Sequence, residues 1–302
     1  MTVAAPASSS TEAVAEDRAS LQAHGDVWLP KRIWRQLPMA AKYAIVLVLA
    51  LIYVVPMLVL VNTAFKTPNG FISNPTGLTK TVSLGNFISA WNEGDFAAYI
   101  GNSVLYTFVV AGLGTLLSLL IAYPVARRYV PVASWLLGLF VVALFLPNSI
   151  PTQFELLLHL HLYNSRIGYM LVLLAGLGVG PLLITGYIRS IPYELDQAAA
   201  ADGCGYFRYL FMFIAPIARP VLMTSFLLQA IYVWNEIILA TIYLPSNNKL
   251  PVSAGLFAFY GQYTDQWSLI AAATLIICLP LIAVFLVLQR YFVAGALSGA
   301  FK

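Results

Sequence analysis

Charge is scarce in this sequence. Asp, Glu, Lys and Arg make up only 9% of 302 residues, against about 25% in soluble domains. Hydrophobic residues make up 60%, more apolar surface than one soluble core of this length can hide. That excludes a single soluble globule and leaves lipid as the solvent. Cysteine is nearly absent: Cys204 and Cys278 stand in different contexts, so there is no disulfide framework. No Gly-x-x-x-x-Gly-Lys-Ser/Thr phosphate loop occurs, so ATP is not expected to bind this chain. No nucleophile, base and orienting residue group into a catalytic set. Glu155, His159 and His161 have no further ligand beside them, so no metal is expected. The formal charge of +4 is too small to imply nucleic acid. No secretory signal peptide is expected either. The first apolar stretch begins near Ala44, is too long for such a segment, and has no small-residue cleavage pattern behind it.

What is present is a series of long apolar runs. They are Ala44–Val61, Val104–Val125, Trp135–Ile150, Gly168–Ile188, Val221–Tyr243 and Leu269–Leu288. Each approaches the roughly 20 residues that a helix needs to span a bilayer. The sequence therefore predicts an all-α, polytopic membrane protein with about six transmembrane helices. Residues 1–38 are polar and read as a disordered tail; residues 39–302 read as one membrane domain. Pro56, Pro124, Pro147, Pro181 and Pro280 fall inside the runs, where neighbouring helices can satisfy the freed carbonyls. Gly112, Gly114, Gly176, Gly178 and Gly180 permit close helix approach, or reflect the ordinary glycine content of membrane helices.

Basic residues segregate. Lys31, Arg32, Arg35, Lys42, Arg127, Arg128, Arg189, Arg208, Arg219, Arg290 and Lys302 fall on one side of a six-crossing topology. Lys66, Lys80, Arg166 and Lys249 fall on the other. Basic loops stay cytoplasmic, which predicts both termini in the cytoplasm. The outer segments 66–101 and 244–267 are long. The second carries Pro245, Asn247, Asn248 and Pro251 with Phe257, Phe259, Tyr260 and Tyr263, a mixture suited to sugar or protein contact and equally to a solvated loop.

The inner segment 191–216 is the most informative. Pro192 sits at a helix start, and Glu194 and Asp196 occupy its first turn, where the helix dipole favours acid. Ala198–Ala201 are strong helix formers with a small profile. Asp202 and Gly203 end the helix, and a second short helix, Tyr206–Phe213, follows. The product is a helix–turn–helix outside the membrane with a smooth alanine face.

This stretch resembles the cytoplasmic signature of ATP-binding-cassette importer permeases, and in particular the maltose-type carbohydrate subfamily (the MalG kind). Ile191, Pro192, Glu194, Leu195, Ala198, Ala199, Asp202 and Gly203 stand in register with I-P-x-E-L-x-E-A-A-x-x-D-G. Trp234-Asn235-Glu236 resembles the W-N-[DE] of the fifth helix. Asn102-Ser103 resembles the N-S of the second, and Gln289–Val293 with Gly295 resembles the Q-[RK]-Y-F-V-x-G tail. Two positions depart: Gln197 replaces the family glutamate, and Ala215-Pro216 replaces Leu-Pro. The resemblance covers residues 40–302. It implies a type I importer transmembrane fold and a non-catalytic permease subunit in a bacterial plasma membrane. It also implies a related permease as partner in a heterodimer, two cytoplasmic ATPase subunits that hold ATP and Mg, an extracytoplasmic solute-binding protein and a sugar-like solute. Glu194, Asp196, Gln197, Ala198, Ala199, Asp202 and Gly203 would form the ATPase-coupling surface.

Inside the apolar runs, Gln229, Trp234, Asn235 and Glu236 stand out. An ionisable group in lipid faces a cavity or a partner, so Glu236 marks either the translocation path or a helix–helix contact, and Asn235 reads rather as a helix–helix contact. Gln229 lies seven residues before Glu236, about two turns away on a similar face. A secondary, proton-coupled transporter using Glu236 is the alternative. Few intramembrane charges and no evident inverted repeat speak against it.

Overall fold

A computed structural model describes residues 38–79, 82–259 and 266–300, with side chains as far as Val287. The tail up to residue 37 lies outside the described residues, with Lys31, Arg32 and Arg35; so do Lys80, Tyr260, Tyr263 and Lys302. The side chains of the Gln289–Val293 tail motif also lie outside them. The described secondary structure is helical. It forms two units, residues 1–59 and 60–302. The described part of the first is most of α1 (Met39–Ala64), an apolar helix whose side chains from Tyr43 to Val59 are largely exposed.

The larger unit opens with the end of α1 and two short helices, α2 (Pro68–Ser73) and α3 (Gly85–Glu93). Thr67 caps α2, its Oγ1 accepting from the Gly70 N–H at 3.2 Å, with Pro68 where a helix needs no N–H. Asn86 of α3 donates to the Ala64 and Lys66 carbonyls at 2.8 and 2.7 Å, satisfying the chain where α1 stops. Then comes α4 (Phe96–Ala126), 31 residues long. At 1.5 Å per residue it runs about 46 Å, longer than a bilayer's roughly 30 Å hydrocarbon core.

Three of the expected spans are broken. α5 (Ala133–Phe145) and α6 (Ile150–His159) meet at 105°, where Pro147 and Pro151 cannot continue a helix. α7 (Arg166–Ala175) and α8 (Gly180–Ser190) meet at 49° across residues 176–179, where Gly178 takes a φ of +57°. After α9 (Glu194–Ala201), α10 (Tyr206–Ile217) meets α11 (Arg219–Asn235) at 81° between Pro216 and Pro220. A further break at Glu236 separates α11 from α12 (Ile238–Tyr243). The runs Trp135–Ile150, Gly168–Ile188 and Val221–Tyr243 are therefore each composite. Their apolar character hid the breaks, because hydropathy does not register a missing N–H. The short helix expected at Tyr206–Phe213 also runs on to Ile217, through a π-helical turn at Leu210–Ile214. α13 (Trp267–Ala300) closes the fold after 3₁₀ turns at Asn247–Lys249 and Val252–Phe259. Phe259 is buried there and Phe257 exposed.

The larger unit is organised around α4. Its first turns join α3, α13 and Val252 in one apolar cluster. Its middle packs on α7, α11 and α12. Its last turns pack on α8, α10 and the start of α11. One end is fastened by polar pegs. Asn102 donates to the carbonyls of Asn248 and Leu250, both at 3.0 Å, and accepts from Arg166 at 2.9 Å. The Ser103 Oγ accepts from the Val252 N–H at 2.7 Å, and Tyr106 donates to the Lys249 carbonyl at 2.7 Å. Replacing Asn102 by Leu takes the amide donor from the Asn248 and Leu250 carbonyls and an acceptor from Arg166. The expected cost is about 2 kcal/mol, read as a lower melting midpoint of the purified protein in detergent. An unchanged midpoint contradicts the peg.

Candidate functional site: a coupling segment and a membrane cavity

At the opposite end of α4 lies the helix–turn–helix. α9 ends as its residues dictate. The Cys204 N–H donates to the Ala199 carbonyl at 2.9 Å and the Gly203 N–H to the Ala200 carbonyl at 3.0 Å. Gly203 takes the left-handed φ of +70° that this Schellman end requires. Glu194, Gln197, Ala198, Asp202 and Gly203 are exposed and Ala199 is half-buried. The alanines line one wall of a 310 Å³ groove whose other wall is Tyr209, Met212 and Ile217 of α10.

Asp196 points the other way. It is 7% exposed and forms an ion pair with Arg127, Nη2 to Oδ2 at 2.7 Å. The Tyr123 hydroxyl donates to Asp196 Oδ1 at 2.7 Å and Arg127 Nε to the same oxygen at 3.2 Å. Arg127 Nη1 donates to the Ile191 carbonyl at 3.0 Å, and the guanidinium lies 5.7 Å from the Tyr193 ring centroid. One arginine thus grips both the entry to α9 and its first turn. Tyr123 in turn packs on Tyr206 and Tyr209, at 5.3 and 6.2 Å between centroids. Both charges are 95% buried, so each depends on the other. Asp196 serves α4 and is not offered outward.

The four polar residues of the apolar runs separate. Trp234 donates to the Ile277 carbonyl at 3.2 Å and fastens α11 to α13. Asn235 donates to the Ile231 carbonyl of its own helix at 2.8 Å. Glu236 accepts from the Leu239 N–H at 2.9 Å, capping α12, while its carbonyl accepts from Ser253 at 3.0 Å. Of the four, Gln229 lines a hollow beside the helix breaks. This is a cavity of 610 Å³ walled by Ala143, Leu144, residues 146–148, residues 175–180, Ser225 and Tyr232.

A model of the family described as binding-protein-dependent transport system inner membrane component matches residues 114–297. The chain belongs to this family. The matched region of the permease holds α9, α10 and the cavity, and spans most of α4's partners. The permease is 29% identical over 263 residues to the melibiose/raffinose/stachyose import permease protein MelC of Bacillus subtilis, covering 84% of this chain and 94% of that one. It is 28% identical over 263 residues to the arabinooligosaccharides transport system permease protein AraQ of Halalkalibacterium halodurans, covering 84% and 93%. Its fold matches a chain from the crystal structure of a bacterial ABC transporter involved in the import of the acidic polysaccharide alginate. The TM-score is 0.74 at 18% identity, over 87% of this chain and 98% of that one.

Sequence reasoning missed the partners. Arg127 served there only as a topology marker, and Tyr123 as part of an apolar run. The signal that could have found them is an arginine at a span end four residues after a tyrosine, one turn along the same helix face. Ala substitution of Asp196 leaves the Arg127 charge buried without its counterion, at an expected cost of about 3–5 kcal/mol. Adding Arg127→Met should recover part of that loss in a thermal unfolding series. Additive losses contradict the pairing.

Proposed function

We propose that this chain forms half of the translocation pathway of an ATP-driven importer for a sugar or related polar solute. An extracytoplasmic binding protein delivers the solute, and a related permease subunit completes the pathway as a heterodimer. Two separate ATPase subunits hold ATP and Mg and dock on the outward residues of α9 beside the groove. The segregation of basic residues in the sequence supports a cytoplasmic setting for this end and for both termini. The observation that carries the reading is the buried Asp196–Arg127–Tyr123 junction at the family's signature segment. A docking helix that moves with an ATPase needs a stiff attachment to the membrane helices, and this junction is one. Glu194, Gln197, Ala198, Asp202 and Gly203 stay free to face the ATPase. The solute class rests on relatives named for oligosaccharide import. A proton-coupled carrier loses support because Glu236, the acid it would use, caps α12.

The mechanism follows from the attachment. Closure of the ATPases displaces α9, and Arg127 holds the Ile191 carbonyl and Asp196 together, so the end of α4 moves with it. α8 and α11 pack on α4 and are carried along. Ala198 is exposed on the open groove, so Ala198→Trp should fit the isolated fold yet fill the docking surface. The expected result is loss of the ATPase from the purified complex, with the melting behaviour of this chain retained. Undiminished co-purification of the ATPase contradicts the docking role.

A further inference from the structure

One apolar edge beside the coupling segment is left uncovered. α10 buries Tyr209, Leu210 and Ile214 against the ends of α4 and α8. Its Met212 and Ile217 line the groove shared with α9. Phe207 and Phe211 do neither. They stand one turn apart along a remaining edge of the helix. The Phe207 ring meets the neighbouring Tyr206, 5.2 Å between centroids, and is still 65% exposed. Phe211 is 45% exposed. Two phenyl rings side by side in water are an apolar patch that wants covering.

Where that edge lies follows from the spans beside it. α10 runs into α11 across Ala218 alone, at 81°. Its end is also tied to α8, where the Tyr187 hydroxyl donates to the Ile217 carbonyl at 3.1 Å. α8 carries Arg189 in its last turn and α11 opens on Arg219, and both arginines are exposed. Arginines at the ends of apolar helices mark the edge of the hydrocarbon, with their charges among the headgroups. The Ile217 end of α10 is therefore at that edge. Membrane helices tilt by about 20° on average, so a helix at 81° to one of them stays within roughly 30° of the membrane plane. Phe211 stands about 9 Å along the axis from Ile217, which at that inclination is at most about 5 Å of depth. Phe207 stands about 15 Å along, at most about 8 Å of depth. The headgroup layer is roughly 5–7 Å thick on each side. Phe211 thus stays inside it, and Phe207 reaches no farther than its outer limit.

We infer that α10 lies in the interfacial layer of the leaflet at this end, with Phe207 and Phe211 seated among lipid headgroups and the first acyl carbons. Lipid is the occupant because this edge faces away from the helix bundle and from the α9 groove, apart from the docking surface proposed above. It is also continuous with the membrane surface, since α10 and α11 together are apolar enough to cross a membrane and share the corner at Ala218. A helix in the membrane plane with aromatic residues on its free edge has the form of an interfacial anchor. The consequence is directional. α9 joins α10 through the turn at Gly203, and lipid holds α10 at a fixed depth. Displacement of the coupling segment is then easier along the membrane plane than away from it. The inference needs the membrane setting of the family and neither ATP nor an ATPase.

The test measures depth in the complete transporter, reconstituted in vesicles of phosphatidylethanolamine and phosphatidylglycerol. A ketone-bearing phenylalanine analogue replaces Phe211 or Phe207 and carries a nitroxide, which leaves both cysteines in place. Its collisions with oxygen, which concentrates in lipid, are compared with its collisions with a water-soluble nickel chelate. The oxygen-to-nickel ratio at both positions is expected to exceed that of a free nitroxide in water. A water-like ratio at either position overturns the inference. So does a label shielded from both reagents, because protein would then cover the edge. Transport that proceeds without ATP would overturn the permease reading instead and leave these ratios unchanged.

Discussion

Two opposite charges, buried together at the end of one long helix, tie this molecule into a machine. Asp196 belongs to a short helix outside the apolar core, and Arg127 belongs to the helix around which the larger unit packs. Burying both charges is expensive, and each remains tolerable only while the other stays in place. Displacing α9 without α4 would expose an uncompensated charge in a low-dielectric setting and break the Tyr123 hydrogen bond as well. The cheaper motion carries α4 along. The exposed face of α9 stays soft and replaceable, and its buried face does not.

The membrane imposes the second constraint. Every backbone group at depth must be satisfied within the protein. Unbroken helices do this, and α4 is one. Broken ones are tolerable where the freed groups line a cavity or are capped by side chains. Glu236 caps α12 at one break. The 176–179 break, with Gly178 in a left-handed conformation, opens instead onto the cavity that holds Gln229. The fastenings of the fold sit at different heights of α4. Arg127 is at one end, Gly114 at the middle, and Asn102 pins the far end to the 246–252 loop.

Much of this was legible in the residues. Apolar runs and scarce charge gave a helical membrane protein, and Asp202-Gly203 gave the end of α9 correctly because capping is local chemistry. The breaks in three runs were not legible, since hydropathy averages over a proline and says nothing about what a freed carbonyl meets. Asp196 was read outward with Glu194. Two residues apart on a helix place them about 200° apart, so one had to face inward, but which one depended on an arginine 69 residues away. Gln229 was singled out by its polarity alone. Its setting against Gly114 is a product of packing between helices distant in sequence. The Trp234-Asn235-Glu236 group looked like one polar site because its members are adjacent, and helical geometry sent them to three different partners.

The central claim is that α9 and α4 move as one body. Spin labels at Ala200 on α9 and Leu116 on α4, both exposed, allow the distance between them to be measured by pulsed electron resonance in the assembled complex, with and without ATP. The account predicts one narrow distance distribution, unchanged by ATP, in the native chain, and a distribution that shifts on ATP addition in Asp196→Ala. A distance that changes with ATP in the native chain, or stays fixed in Asp196→Ala while transport is driven, would contradict it.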